Sequence, residues 1–203
     1  LAITLSSALS GTYQSAIIAR QALPDRRIEV IDSKSASGMY GMMAILAQEM
    51  ADQGKSLAEI AASVKRMSEN AVTVFCVDTL DYLARNGRIG KAAHFLGTLL
   101  NMKPVLSLDK EGYVTALERV RGKEKDRVIR RMVEITKEWL AGEDEIYLGI
   151  SHANAPNEAA VLKEQAQSAF RVARLFETEI GAVIGTHTGP GTLAVFAIPV
   201  RCL

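Results

Sequence analysis

The first seventy residues alternate short apolar runs with longer segments of helical periodicity. Residues 1–5 and 28–31 are mainly apolar and predict two strands. Helices are predicted over residues 13–23, 39–53 and 56–70, the last opened by a capping box of Ser56 and Glu59. Strands and helices in this order and at this spacing are typical of a right-handed parallel α/β unit. Because the sequence starts inside a strand, we expect residues 1–70 to be an incomplete parallel α/β domain.

From residue 71 the pattern predicts an α+β domain with a largely antiparallel sheet. Strands are predicted over residues 71–77, 145–151, 172–180 and 192–200, and a hairpin over residues 105–120. Helices are predicted over residues 78–87, with Asp78 as the cap, and over residues 91–101, 123–140 and 156–170. The apolar residues of the third helix are expected to face inward: Val128, Met132, Ile135 and Trp139. The sequence therefore predicts an α/β protein with two domains, residues 1–70 and residues 71–203.

The composition excludes several classes of protein. Hydrophobic residues make up 48% of the 203 residues, which is enough for a large core and excludes intrinsic disorder. The net charge of +1 provides no global field to attract nucleic acid or an anionic membrane. Cys76 and Cys202 are far apart and have no neighbouring histidine at metal spacing. We therefore expect no disulfide scaffold, no metal site and a reduced, cytoplasmic setting, with Cys76 a buried, inert thiol.

The segment between the first strand and the first helix, residues 6–13, is rich in serine. The N-terminus of a helix presents unpaired N–H groups, and hydroxyls at Ser7, Ser10 and Thr12 add donors beside them. Gly11 would let a ligand approach the backbone closely. The pattern predicts a site for an anionic oxygen, of either a carboxylate or a phosphate. The alternative is that one serine only caps the helix.

Three other segments carry candidate binding residues. Residues 185–192, which contain three glycines and a proline, predict a tight turn with His187 at its tip, either as an anion donor and acid/base or as a plain surface residue. Arg88 follows a short predicted helix and either neutralises the helix end or reaches a ligand. Arg119 and Arg121 flank a strand residue and are expected to project from the same edge, as a solvated face or a partner surface.

Taken together, these segments resemble one family. The ordered series is LSSALSGTYQSA (5–16), VIDSKSASGMYG (30–41), VDTLDYLARNGRIG (77–90), GTLLNMKPVL (97–106), ERVRGKEK (118–125) and GTHTGPGTLAV (185–195). It is similar to the DegV family of bacterial fatty-acid-binding proteins over essentially the whole chain. The resemblance implies a carrier, not an enzyme, that holds a long-chain fatty acid between two domains and presents it to a fatty acid kinase for acyl-phosphate formation. It implies no cofactor and allows a peripheral membrane contact during ligand exchange.

The resemblance also implies roles for individual residues. Ser10 matches the family serine that binds the carboxylate, with Gly11 and Thr12 beside it. His187 and Arg88 match residues near the carboxylate and the opening that faces the kinase, and Arg121 matches an arginine of the kinase contact. The family's other carboxylate ligand, a threonine in a TSQP motif, lies upstream of the first residue here. Either the parent protein has that threonine and this sequence is a truncated product, or the family's head-group site is incomplete here.

Two other interpretations remain open at this point. Both loops rich in Ser, Thr and Gly could cradle a phosphate in a phosphotransferase or hydrolase, with His187 as the acid/base. The other interpretation is a regulatory module that contacts its partner through Arg119 and Arg121. The fatty acid expected from the family resemblance would lie in a tunnel. One set of residues is expected either to form part of the tunnel wall or to pack in the core: Phe95, Leu99, Leu100 and Met102.

Overall fold

The computed structural model describes residues 1–97, 101–122 and 125–203. The strands are β1 (Ala2–Thr4), β2 (Val30–Asp32), β3 (Val72–Cys76), β4 (Met102–Leu108), β5 (Val114–Arg121), β6 (Ile146–His152), β7 (Val172–Glu179) and β8 (Leu193–Pro199). The helices are α1 (Thr12–Gln21), α2 (Gly38–Asp52), α3 (Leu57–Asn70), α4 (Asp81–Arg85), α5 (Lys125–Trp139), α6 (Pro156–Ala169) and α7 (Ala182–Thr188). Short 3₁₀ turns span Gly90–Phe95 and Val200–Cys202.

The two N-terminal strands form a small parallel sheet. Ala2 pairs with Val30 and Thr4 pairs with Asp32, and α1 connects the two strands. The predicted capping box opens α3, because the Ser56 hydroxyl accepts from the Glu59 N–H at 3.3 Å and the Glu59 carboxylate accepts from the Ser56 N–H at 2.8 Å. The parallel α/β pattern predicted for this part of the chain is confirmed.

The remaining six strands form one sheet in the order β5-β4-β3-β8-β6-β7. Neighbouring strands are antiparallel except for β6 and β7, which are parallel and joined through α6. The hairpin of β4 and β5 is where the sequence predicts it. The largely antiparallel sheet expected after residue 71 is therefore confirmed, and the molecule is a mixed α/β fold.

Both faces of the large sheet are covered, and the alternation of side chains along β8 shows how. Leu193 and Val195 pack in the cluster that contains α5 and α6, whereas Ala194 and Phe196 pack on the other face with α2. Every residue of β8 is buried. A strand covered on both faces is apolar throughout, and this is why its sequence shows no polar alternation.

Helix α2 lies between the two sheets. Its residues Met39 and Met43 are fully buried against the large sheet, while Ala47 and Met50 pack with Ile31 of β2 and with α3. The packing of α2 against both sheets brings the end of β1 close to one face of the large sheet. Within the described residues, no helix has both the length and the apolar character needed to cross a membrane.

Three local predictions are corrected by the structure. Asp78 does not cap α4, whose N-cap is Leu80; its carboxylate instead bonds Lys103 Nζ at 2.8 Å and lies 3.4 Å from Lys125 Nζ. Trp139 is 48% exposed, because α5 ends there and Leu140 takes the buried position. The predicted helix over residues 91–101 is a 3₁₀ turn as far as Phe95, and residues 98–100 lie outside the described part of the chain.

Candidate functional site

The serine-rich loop leads from β1 into α1 and gathers several donors at one place. The hydroxyl oxygens of Ser10 and Thr12 lie 2.8 Å apart and share a hydrogen bond, and the Thr12 N–H donates to the Ser10 hydroxyl at 3.3 Å. The N–H groups of Tyr13 and Gln14 follow in the first turn of α1, where the helix itself supplies no acceptors. The loop therefore presents hydroxyls and helix N–H groups together, as an anion-binding site requires.

Two contacts fix the serine loop to the rest of the molecule. Ser6 is fully buried, and its hydroxyl donates to the Gly112 carbonyl at 3.0 Å, in the turn between β4 and β5. A Cβ on Gly112 would lie 2.1 Å from the Ser6 hydroxyl, so this approach requires glycine, which also adopts φ +88° here. The turn between β4 and β5 of the large sheet thus positions the serine-rich loop that follows β1 of the small sheet.

Asp32 holds the loop from the other side, at the end of β2. Its carboxylate accepts from the Ser7 N–H at 3.1 Å and the Lys34 N–H at 3.0 Å, and lies 3.0 Å from Lys34 Nζ. Partial burial opposes ionisation, but the hydrogen bonds from Ser7 and Lys34 outweigh it and lower the pKa of Asp32. Asp32 is therefore a structural anion, whereas the donors at Ser10 remain available.

His187 is placed differently from the prediction. It lies in the last turn of α7, and not at the tip of a loop; the tight turn covers only the following residues, with Gly189 and Gly191 both at positive φ. The His187 Nδ1 atom is buried and has no hydrogen-bond partner among the described residues. A buried polar atom without a partner costs free energy, so His187 is a candidate for a ligand contact.

Arg88 follows α4, as predicted, and lies beside the serine loop. Its Nε donates to the Leu9 carbonyl at 3.2 Å and its Nη1 to the Asn86 carbonyl at 2.9 Å. Asn86 in turn donates from Nδ2 to the Thr186 carbonyl of α7 at 3.0 Å. These bonds join the serine loop, α4 and α7 into one rim, and Nη2 of Arg88 has no partner within the described residues.

A cavity of about 230 Å³ lies below this rim and brings the predicted residues together. Ser10, Thr12, Arg88 and His187 all line it. Most of the wall is aliphatic or aromatic, with Leu5, Leu9, Phe75, Leu83, Leu108, Val114, Ile180, Ile184 and Phe196 among its members. No carboxylate from the described part of the chain lines it. The geometry suits a ligand with a long apolar body and one anionic end.

Several predicted residues lie outside this cavity. Gly11 is the exposed N-cap of α1, has φ −70°, and does not line the wall, so its conformation does not require glycine. Of the expected tunnel residues, Phe95 packs in the core and Met102 is half-buried, and neither lines the cavity; Leu99 and Leu100 lie outside the described residues.

The basic strand end is on a separate surface. Arg119 and Arg121 are both exposed on β5 and project from the same side, as the sequence predicts. The Arg119 guanidinium carbon lies 5.0 Å from the centre of the Phe95 ring. Neither arginine lines the cavity.

The sequence analysis did not identify the apolar wall. Phe75, Ala194 and Phe196 belong to buried strands whose residues are nearly all apolar, and only the alternation of the two faces separates them from the core residues beside them. That alternation could have been read from the predicted strands, but which face carries a cavity depends on tertiary packing.

Cys76 is buried in β3. Burial raises the pKa of its thiol to about 11, in agreement with the predicted buried thiol. The described residues contain no cluster of three or more His, Cys, Asp or Glu side chains arranged to hold a metal ion.

Comparisons with known proteins agree with this architecture. The model of the DegV family, a family of uncharacterised proteins, matches residues 1–200. A DegV domain-containing protein from Streptococcus pyogenes serotype M1 is 37% identical over 202 residues, which cover 98% of this chain and 69% of that protein.

Solved structures are similar over nearly the whole chain. A DegV family protein from Thermus thermophilus, described for its fatty acid binding, has a TM-score of 0.91 and 38% identity, and the match covers 97% of this chain and 69% of that one. A fatty acid binding DegV family protein from Streptococcus agalactiae has a TM-score of 0.85 and 27% identity, covering 98% and 70%. The likeness thus extends across both sheets and α2.

Proposed function

The chain belongs to the DegV family, and from this membership and the cavity we propose that it binds a long-chain fatty acid. The acyl chain lies in the apolar cavity, and the carboxylate lies at the Ser10 end. The observation that supports the proposal is the distribution of polar and apolar residues in the cavity wall. Hydroxyls, Arg88 and His187 lie at one rim, and apolar side chains form most of the remainder.

The apolar wall supplies the affinity in this proposal. Burying one methylene group contributes about 0.8 kcal/mol, so roughly 14 methylenes contribute on the order of 11 kcal/mol. Association and the ordering of a flexible chain offset a large part of that gain. A long chain can still be held tightly, while a short carboxylic acid would be held weakly.

The rim supplies charge recognition. In our proposal the carboxylate accepts from the Ser10 and Thr12 hydroxyls and from the first-turn N–H groups of α1. Arg88 supplies a positive charge, and the unpartnered Nδ1 of His187 gains a polar contact. Gly11, as the N-cap, contributes backbone to the same loop.

We further propose that the protein is a carrier which presents the carboxylate to a fatty acid kinase. The rim, with His187 and Arg88, would face the opening, and the exposed Arg121 would contact the kinase. Residues 1–70 and 71–203 would form two domains with the ligand between them, a division supported by the two separate sheets. A cytoplasmic location and a peripheral membrane contact during ligand exchange stay predictions of the same model.

Native mass spectrometry of gently purified protein tests the binding proposal. We expect a co-purifying mass that extraction identifies as a fatty acid, and rebinding when palmitic acid is added to delipidated protein. Absence of a bound lipid together with no rebinding would refute the proposal. ATP turnover by the isolated protein would instead favour the phosphotransferase or hydrolase interpretation, in which Ser10, Thr12 and His187 hold a phosphate.

A further inference from the structure

A second cavity, of about 630 Å³, lies next to the first on the same face of the large sheet. Four residues belong to the walls of both: Ser37, Val183, Ile184 and Phe196. Ser37 directly precedes α2, and Val183 and Ile184 lie on α7. These four residues therefore lie at the boundary between the two cavities, above a floor made by the sheet.

The strand register shows that this floor is continuous. Phe75 pairs with Ala194, Ala194 with Ser151, and Ser151 with Thr178, so these four side chains form one row across β3, β8, β6 and β7. Phe75 and Ala194 line the first cavity, and Ser151 and Thr178 line the second. With strands about 4.8 Å apart, the row is about 14 Å long.

A neighbouring row repeats the arrangement. Thr73 pairs with Phe196, Phe196 with Gly149, and Gly149 with Phe176. Thr73 lines the first cavity, Phe196 lines both, and Gly149 and Phe176 line the second. Phe196 therefore lies at the boundary between the two cavities, and both rows place the two cavities on the same face of the sheet.

Ser151 is the unusual member of this floor. The residue is fully buried, and its hydroxyl has no hydrogen-bond partner among the described residues. Gly38 lies directly against this hydroxyl, because a Cβ there would lie only 2.8 Å from it. A buried hydroxyl without a partner costs free energy, which a ligand group can recover by pairing with it.

The charge of the second cavity limits what that group can be. Its wall contains no cationic side chain from the described residues, and it includes Glu177 and Glu179. Glu177 is paired with Lys163 Nζ at 3.1 Å, and a second carboxylate or a phosphate would find no cationic side chain among the described residues of this wall. The group that meets Ser151 is therefore neutral, and the carboxylate stays at the rim with Arg88.

We propose that the second cavity holds the distal part of the acyl chain and that Ser151 binds a hydroxyl group on it, which makes hydroxylated long-chain fatty acids a preferred ligand class. This inference rests on the proposed function, since it assumes that the carboxylate lies at Ser10. A hydroxyl at the matching carbon exchanges hydrogen bonds with water for one with Ser151, while an unsubstituted chain leaves Ser151 unpaired.

The test uses delipidated full-length protein and a positional series of monohydroxypalmitic acids, with palmitic acid as the reference. The acid hydroxylated at one carbon in the distal half of the chain is expected to bind about three- to tenfold more tightly than the acids hydroxylated at neighbouring carbons. This is the difference expected for one net hydrogen bond. Ser151→Ala should abolish that preference and change the palmitic acid Kd less than about twofold.

Ser35→Ala is the matched control. Ser35 is also buried with an unpartnered hydroxyl, but it lines neither cavity, so the preference should persist in that variant. Palmitic acid binding without any positional preference, or a preference that survives Ser151→Ala, would overturn the inference and leave the proposed function standing. Failure of every fatty acid to bind would refute the proposed function itself. The wild-type series alone decides the question if Ser151→Ala does not fold.

Discussion

Ser10 shows how much of the proposed head-group site depends on one hydroxyl. It shares a hydrogen bond with Thr12 and accepts from the first N–H of α1. Ser10 lines the first cavity together with Arg88. A carboxylate there would gain a charge-assisted hydrogen bond from a donor already held in place.

Ser10→Ala should weaken fatty acid binding by roughly ten- to a hundredfold, because a hydrogen bond to a charged group contributes about 1.5 to 3 kcal/mol. The measurement is the Kd of palmitic acid by titration of delipidated protein. Ser15→Ala is the control, since Ser15 is exposed on α1 and its hydroxyl donates to the Gly11 carbonyl at 3.2 Å within the same helix end. Equal affinities in both variants would remove Ser10 from the site.

Asp32 makes the stability of the serine loop depend on pH. Its pKa is lowered in the folded protein, so the carboxylate binds a proton less readily there than in the unfolded chain, where its ordinary value is 3.8. The stabilisation is therefore present above that value and is lost as the pH falls through the lower, folded-state pKa.

Asp32→Asn should lower the free energy of unfolding by about 1 to 2 kcal/mol at pH 7, because the amide loses the charge in its bonds to Ser7 and Lys34. Urea unfolding measured between pH 7 and pH 3 checks this, and the difference from wild type should shrink below about pH 4. Asp25→Asn, in the exposed loop after α1, serves as the control. A difference that stays constant to pH 3 would contradict the role of the charge.

At the scale of elements, the sequence predicts most helices and strands because each has a characteristic pattern of apolar residues along the chain. β8 is apolar throughout because it is covered on both faces, and α3 is marked by its capping box. Local signals fail where tertiary contacts decide. Asp78 has the chemistry of a cap, but Lys103 and Lys125, distant in sequence, attract its carboxylate more strongly than the nearby helix end.

The segment that contains His187 shows the same limit. Its glycines and proline predict a turn, yet residues 182–188 form α7, which ends at Gly189. A Cβ on Gly189 would lie 2.4 Å from Tyr82 of α4, so this glycine serves a close contact between helices as well as a turn. The candidate residues could be identified from sequence, whereas their convergence on one cavity depends on that packing.

The turn between β4 and β5 should couple stability to ligand binding. Gly112→Ala places a Cβ 2.1 Å from the Ser6 hydroxyl at φ +88°, so we expect a loss of about 1 to 3 kcal/mol and weaker palmitic acid binding as the serine loop shifts. Thermal unfolding and the Kd measure both effects.

Gly142→Ala separates conformational strain from the contact with the loop. Gly142 also has positive φ, at +92°, but a Cβ there would meet nothing within 4 Å. This variant should lose stability and retain the affinity of wild type. If both variants bind palmitic acid equally well, Gly112 does not position the site.

At the scale of the whole molecule, the proposed ligand site and the proposed partner contact occupy different surfaces. The cavity lies between the serine loop, α4, α7 and one face of the large sheet, whereas Arg121 is exposed at the end of the edge strand β5. Substitutions at one surface should therefore leave the other intact, and the proposed carrier role can be separated experimentally from binding alone.

Arg121→Glu should reduce acyl-phosphate formation by a reconstituted fatty acid kinase at least tenfold, since it places a negative charge in the proposed contact, while the palmitic acid Kd stays unchanged. Arg27→Glu makes the same change of charge at an exposed position in the loop before β2, so it controls for net charge. Kinase turnover equal in the two variants would exclude Arg121 from the contact. A parallel loss of fatty acid binding in Arg121→Glu would mean that the two surfaces are coupled through the sheet, because β5 pairs with β4, and β4 carries Leu108 of the cavity wall.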